Sequence, residues 1–316
     1  MTPPRFVCDS GGPSHGAVAD ESVLRVAACQ DVSLPGDVGG NVAAAARLVG
    51  LAAQAGARVA VLPELFLTGY DPACWTDSNV VGADDPRLGP LSAACRDAGV
   101  VAVVGTALPP DSSATPPPGH PPNSQTNRVG VVVVGGDGRV HEAYAKQHLS
   151  GPEQDHFTPG SSGASVHVDG WQLGLGVCYD GCFPEHAMEA AAAGAQAYLV
   201  PAAHYVGAEH RRDLYYPARA LDNGIYVVFA GLTGPCGDGV FSGGSAVHDP
   251  EGRTLAKADE AAPALAVADL RLAEVRRVQE HVNPVAHDRE ALLGWSTWPA
   301  AATRSNLRLD KASISD

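Results

Sequence analysis

"LGLGVCYDGCFPEHAMEAAAAGAQAYLVPAA", residues 173–203, decides how the chain is read. One apolar run ends at Cys178, a turn leads through Pro184 into an alanine-rich segment, and "QAYLVPAA" forms a second apolar run. Strand, helix and strand in this order are the pattern of an α/β unit. Two cysteines, Cys178 and Cys182, stand in the turn. The stretch alone leaves open a metal clasp, a disulfide, or a nucleophile with a bystander.

The same alternation continues on both sides. "VLRVAACQ" (23–30) reads as the first strand, followed by the helix "NVAAAARLVGLAAQAGA" (41–57), with Asn41 as its cap and Gly56 near its end. "RVAVLPE" (58–64) is a continuous apolar run of the kind buried on both faces. "LGPLSAACRDAG" (88–99) is a helix leading into the strand "VVAVVGTAL" (100–108). "NRVGVVVVGGDGRVHEAYAK" (127–146) is a hairpin turning at Gly-Asp-Gly, and "GSAVHDPEGRTLAKA" (244–258) is a second one. Between them, "EHRRDLYYPARALDNG" (209–224) is a helix closed by Gly224, and "IYVVFAGLTG" (225–234) is a strand. A last helix starts in "LRLAEVRRVQEHVNP" (270–284). The proline-rich stretch 109–126 reads as an exposed, partly extended loop. These features predict a flexible extension over 1–22, one domain over 23–297 and a tail over 298–316.

Composition removes several function classes. The 316 residues are 45% hydrophobic, enough for a large core, and carry 21 basic against 35 acidic residues, a net charge of -14. That balance argues against nucleic acid or an anionic membrane surface as a partner and leaves small molecules. Seven cysteines, an odd number with no CxxC pair, point to a reducing cytoplasm rather than a disulfide framework. The first residues lack the apolar core of a signal peptide, and no run approaches the ~20 apolar residues that span a bilayer. The twelve histidines form no HExxH, and the cluster His141, His148, Glu153 and His156 matches no common ligand spacing. With neither a dinucleotide nor a P-loop glycine motif, no metal and no cofactor is expected.

Ligands of a buried α/β sheet gather beyond the carboxyl ends of its strands. "AVLPE" delivers Glu64 there, "GLGVC" delivers Cys178, and the hairpin ending "AYAK" delivers Lys146. Taken singly, these are equally an ordinary buried ion pair and a structural cysteine. Together they form a coherent nucleophilic set.

At this point the sequence resembles the nitrilase, or carbon–nitrogen hydrolase, superfamily. "LRVAACQ", "VLPELFLTGY", "GDGRVHEAYAKQHL", "GVCYDGCFPE", "GAQAYLVPAA", "ARALDNGIYVV" and "FSGGSAVHDPEG" follow one another in the family's order. The resemblance implies a four-layer αββα sandwich and a triad of Glu64, Lys146 and Cys178. It adds Glu153 as an accessory glutamate and the backbone N–H of Tyr179 as an oxyanion donor. It also implies homodimers or larger assemblies. Gly181-Cys182 departs from the family, which often carries Arg or another polar residue there. Cys178 is then the nucleophile and Cys182 a bystander.

The chemistry suits these residue types. A carboxylate is a weaker base than imidazole, and a thiol is the nucleophile it can deprotonate. The expected reaction is hydrolysis of an amide or N-carbamoyl small molecule through a thioester-like intermediate. Tyr70, Phe183, His204 and Tyr205 are candidate substrate contacts, each equally readable as packing. Arg211 and Arg212 read as a solvated helix face, and Arg219 as the anchor of a salt bridge. Nitrilase action is the runner-up, although family nitrilases tend to carry Trp-Glu where this chain has Tyr179-Asp180. A glutamine-hydrolysing subunit feeding a synthetase and a silent binding protein are the remaining rivals.

Overall fold

The computed structural model describes residues 5–9, 22–111, 126–259 and 261–283. Most of the proline-rich stretch, the expected domain beyond 283 and the tail 298–316 lie outside the described residues.

Two sheets carry the fold. In the first, the strands run in the order Ala264–Arg271, Val23–Gln30, Val59–Val61, Val101–Leu108, Arg128–Val134, Val140–Ala145. Val23–Gln30, Val59–Val61 and Val101–Leu108 are parallel, and the flanking pairings are antiparallel. The second sheet runs Arg5–Asp9, Ala164–Val168, Trp171–Leu175, Ala197–Ala202, Tyr226–Gly231, Ala246–His248, Thr254–Lys257. The sheets pack face to face, Tyr226–Gly231 against Val23–Gln30 and Ala197–Ala202 against Val101–Leu108. The helices Val38–Gln54 and Gly89–Ala98 cover the outer face of the first sheet, and Pro184–Ala192 and Glu209–Asn223 cover that of the second. The result is the αββα sandwich that the sequence motifs imply.

The burial pattern follows from the sequence. Val59–Val61 and Val101–Leu108 are buried at every position, as expected for apolar strands covered on both faces. Helix Val38–Gln54 turns Val38, Val42, Ala45, Leu48, Val49 and Ala52 inward at helical spacing. Its cap is Asp37, whose side chain accepts from Gly40 N at 2.9 Å, and not Asn41. Asn41 lies one turn inside, accepting from Leu34 N and donating to Leu34 O and Leu67 O. It ties down a loop instead of starting the helix.

Two strands depart from the sequence reading. Ala264–Arg271 pairs antiparallel along the whole of Val23–Gln30, so the last helix begins at Leu272 rather than Leu270. Arg5–Asp9, inside the expected flexible extension, pairs in parallel with Ala164–Val168 at the rim of the second sheet. Both are end strands of their sheets, and Ala264–Arg271 is fully buried at only Ala266 and Leu270. Among the described residues no helix is long and apolar enough to cross a membrane.

Candidate active site

Four chain turns bring polar groups together at the ends of apolar strands. After Val59–Val61 the chain passes close under Gly105, which donates to Pro63 O at 3.1 Å. A Cβ at Gly105 would lie 2.3 Å from that oxygen, so only glycine admits this approach. Glu64 follows, and Leu65 turns the chain with φ 49°. Lys146 closes the Val140–Ala145 strand; its N–H donates to Val129 O and its carbonyl accepts from Gly160 N, both at 2.8 Å. Glu153 opens the helical turn Glu153–His156, with Ser150 N donating to its Oε2 at 3.0 Å. Cys178 opens the 3-10 turn Cys178–Cys182 with φ 45°. This left-handed conformation is uncommon for a side-chain-bearing residue and is held only where the surroundings enforce it.

Lys146 joins the two carboxylates. Its Nζ donates to Glu64 Oε1 at 2.6 Å and to Glu153 Oε1 and Oε2 at 2.8 and 2.7 Å. Tyr70 OH donates to Glu153 Oε1 at 2.6 Å. Glu64, Lys146 and Glu153 are wholly buried, so two carboxylates share one ammonium out of water. Burial lifts the Glu64 carboxyl to about 8; Lys146 pulls it down and Glu153 pushes it up. Burial disfavours the Lys146 ammonium, but the two carboxylates outweigh it and raise its pKa. Burial and the Glu64 charge push the Cys178 thiol well up. Cys178 is close enough to help hold the Glu64 carboxyl down, yet no hydrogen bond of ordinary geometry reaches Glu64 Oε2 among the described residues. The site therefore offers a thiol, a buried carboxyl beside it, and a fixed ammonium.

The turn bearing Cys178 is tied down from two directions. Asp180 Oδ2 accepts from Val177 N at 3.0 Å and Tyr144 OH at 2.7 Å. Its Oδ1 accepts from His148 N at 2.9 Å and His148 Nδ1 at 2.8 Å. Burial opposes its charge, but the hydrogen bonds from His148, Tyr144 and Val177 hold its pKa below the usual range. Tyr216 OH donates to Cys178 O at 3.2 Å, which leaves the Tyr216 oxygen to accept from His204 Nε2 at 2.8 Å. The sequence reading assigned no role to Asp180 or Tyr216. Asp180 carried a usable signal, a carboxylate two residues past an apolar run with no cation beside it in the chain.

The expected substrate contacts fall into three surroundings. Tyr70 is buried with its hydroxyl committed to Glu153, and its ring meets Phe241 at 5.3 Å and the edge of Tyr205 at 6.1 Å. Tyr205, 45% exposed, stacks on Phe241 at 4.7 Å. Phe183 stacks on His148 at 4.2 Å and meets Tyr179 edge-on at 5.0 Å, while Tyr179 is exposed. His204 is turned toward Tyr216, and burial lowers its pKa to about 4, so it is neutral at pH 7.

Arg211 is exposed as expected, but Arg212 is not on a solvated face. It is buried and donates to Ser242 O, Ser242 Oγ and Gly243 O. Helical spacing explains the difference, since Arg212, Tyr216, Arg219 and Asn223 share one buried stripe. Arg219 pairs with Asp222 at 3.1 Å. Cys182 is a free, half-buried thiol that burial pushes up to about 11. No group of three or more His, Cys, Asp and Glu side chains is disposed to hold a metal among the described residues. His148 is instead bound to Asp180, and His156 meets Trp75 edge-on.

Known proteins give this geometry a context. The family model described as carbon-nitrogen hydrolase matches residues 25–280. A protein described as a hydrolase in the pqqF 5' region of Pseudomonas protegens is 34% identical over 78% of this chain and 83% of its own length. A protein described as a nitrilase of Pyrococcus abyssi is 31% identical over 79% of this chain and 90% of its own. The C145A mutant of the amidase from Nesterenkonia sp. AN1, solved in complex with butyramide, superposes with a TM-score of 0.70 at 30% identity. That match covers 89% of this chain and 100% of the amidase.

Proposed function

The chain belongs to the carbon–nitrogen hydrolase family of the nitrilase superfamily and is an amidase-type hydrolase, and we propose that it cleaves small amide or N-carbamoyl compounds with Cys178 as nucleophile. The observation that carries this reading is the wholly buried cluster in which Lys146 joins Glu64 to Glu153 while the Glu64 carboxyl lies beside the buried Cys178 thiol.

In the first half-reaction Glu64 takes the thiol proton as Cys178 Sγ attacks the carbonyl carbon. A carboxyl raised to about 8 is better matched to a thiol than one at its ordinary value. The oxygen of the tetrahedral intermediate takes up negative charge, which Lys146 and the Tyr179 N–H stabilise; one donor of this kind is typically worth ~2.7–4 kcal/mol. As the C–N bond breaks, Glu64 returns the proton to the leaving nitrogen, and a thioester remains on Cys178. Glu64 then takes a proton from water, whose oxygen attacks the thioester. The acid is released and the thiol is reprotonated. Glu153, fixed by Tyr70, Ser150 N and Lys146, keeps the ammonium in place. The stacked pairs Tyr205–Phe241 and Phe183–His148 supply aromatic surface for the acyl group in this reading.

The butyramide complex of the Nesterenkonia amidase supports an amide substrate. The Pyrococcus abyssi relative favours nitrile hydrolysis as the second reading. Ammonia release from primary amides, N-carbamoyl compounds and nitriles, measured for wild type beside Cys178→Ala, separates the two. Cysteine-dependent release from amides or carbamoyl compounds is the expected result, and release from nitriles alone would transfer the assignment to the second reading.

The protein also acts as a homo-oligomer in this reading. Met188, Leu214 and Leu221 stand exposed on the two outer helices beside the nucleophile turn. On the same layer Arg219 Nε and Nη1 are buried with no hydrogen-bond partner among the described residues. A second copy covering this layer would bury the apolar side chains.

A further inference from the structure

We infer that His186 is a positioning residue for the nucleophile turn, acting as the middle link of a buried, one-directional hydrogen-bond chain that runs Tyr198–His186–Tyr144–Asp180. The inference rests on the reading of Cys178 as nucleophile. The atoms themselves dictate the direction of the chain. Asp180 Oδ2 is a carboxylate oxygen and can only accept, so the single Tyr144 hydroxyl proton lies on the 2.7 Å contact to Asp180. The Tyr144 oxygen must then accept from His186 Nε2 at 2.9 Å. Burial lowers the pKa of His186, so its ring is neutral at pH 7 and carries one proton, on Nε2. His186 Nδ1 is left as an acceptor and receives the Tyr198 hydroxyl at 2.8 Å. Four side chains from the hairpin strand, the nucleophile turn, its helix and the following strand are satisfied in one consistent polarity.

The chain closes around Cys178. At its far end the Tyr198 hydroxyl packs so tightly against Gly176 that a Cβ there would lie 1.9 Å from it. At its near end Asp180 holds Val177 N and also His148 N, two residues beyond Lys146. Tyr144 itself stands two residues before Lys146 in the same hairpin. The chain thus joins the segment carrying the nucleophile to the segment carrying the ammonium, and supports the left-handed backbone at Cys178. Histidine suits the middle position because it is a donor at one ring nitrogen and an acceptor at the other. Leucine offers neither group, and glutamine carries an NH2 donor group and a carbonyl acceptor on a single amide.

The test compares His186→Leu and His186→Gln with wild type, each shown to be folded by circular dichroism. The expected result for His186→Leu is a kcat lower by about 10- to 100-fold with KM within about twofold, the mark of misplaced reacting groups rather than lost substrate contact. Alkylation of Cys178 by iodoacetamide should change along with kcat, and His186→Gln should recover most of both. A nitrogen-15 spectrum of the wild-type protein should show His186 with Nε2 protonated and Nδ1 bare. The inference is overturned by the opposite tautomer, or by a folded His186→Leu variant with wild-type kcat. A loss confined to KM, or an equal loss in the leucine and glutamine variants, would also overturn it. The tautomer does not depend on turnover, so failure here is distinguishable from failure of the nucleophile assignment, which would appear as an active Cys178→Ala variant.

Discussion

Beside Cys178, Glu64, Lys146 and Glu153 set two carboxylates against one ammonium; around the same turn, Asp180, Tyr144, His186 and Tyr198 match each donor with an acceptor. Both clusters are buried and both draw on the same hairpin strand. The satisfied cluster has its protons assigned and no group to spare, so it holds geometry. The unbalanced cluster lifts the Glu64 carboxyl to about 8, near the ordinary range of a thiol, so a proton can pass between the two groups. A fold can maintain the second only because structures like the first fix the surrounding backbone.

The largest effect should come from the thiol between the clusters. Cys178→Ala should lower amide turnover by about 10⁴-fold or more, read as ammonia release, because nucleophile loss removes the covalent route entirely. Next, Glu64→Gln should lower turnover by about 10²- to 10⁴-fold.

Thermal melting against pH should set the clusters in opposition. Glu64 is raised from 4.5 to about 8, so its contribution to stability is present below pH 4.5 and is lost as pH rises toward 8. Glu64→Gln should therefore gain melting temperature relative to wild type across that window. Asp180 is lowered from 3.8, so its contribution is present above pH 3.8 and is lost as pH falls through its lower folded value. Asp180→Asn should be less stable than wild type at pH 7, with the gap closing in acid. Parallel trends in the two variants would break the contrast.

A subtler change is expected from Glu153→Gln. Its charge helps to raise Glu64, so removing it lowers the Glu64 pKa and keeps the base form at more acidic pH. The acid limb of the kcat/KM profile should move downward, whatever the loss in absolute rate. The smallest effect should come from Cys182→Ala. Cys182 is a half-buried thiol pushed up to about 11 that takes no part in the Glu64–Lys146–Glu153 cluster, and turnover should stay within about threefold of wild type.

Much of this division was legible in the sequence, but unevenly. Glu64, Lys146 and Cys178 each end an apolar run, short in the case of Lys146, and polar groups at such ends stand out against what precedes them. The four-layer sandwich could likewise be anticipated, but only from the resemblance to the family, whose order the seven motifs follow. The bracing chain could not. Tyr144, His186 and Tyr198 are ordinary residues in three separate segments, and nothing local ties them to one carboxylate. Ala264–Arg271 was missed because its pairing partner is Val23–Gln30, far away in the chain, and because only one of its neighbours is a strand. Arg212 was recoverable from sequence, since it stands four residues before the buried Tyr216 on the same helical stripe. Composition, which marks a pair of adjacent arginines as surface, concealed it.

The central claim is that the reaction passes through a thioester on Cys178. Acid-quenching the wild-type enzyme during turnover of a primary amide, then measuring intact and peptide masses, tests it most directly. The account predicts the mass of the acyl group on the peptide containing Cys178, present during turnover, lost when substrate is exhausted and absent from Cys178→Ala. Turnover that continues in Cys178→Ala, with no acyl mass on the wild-type cysteine, would contradict it.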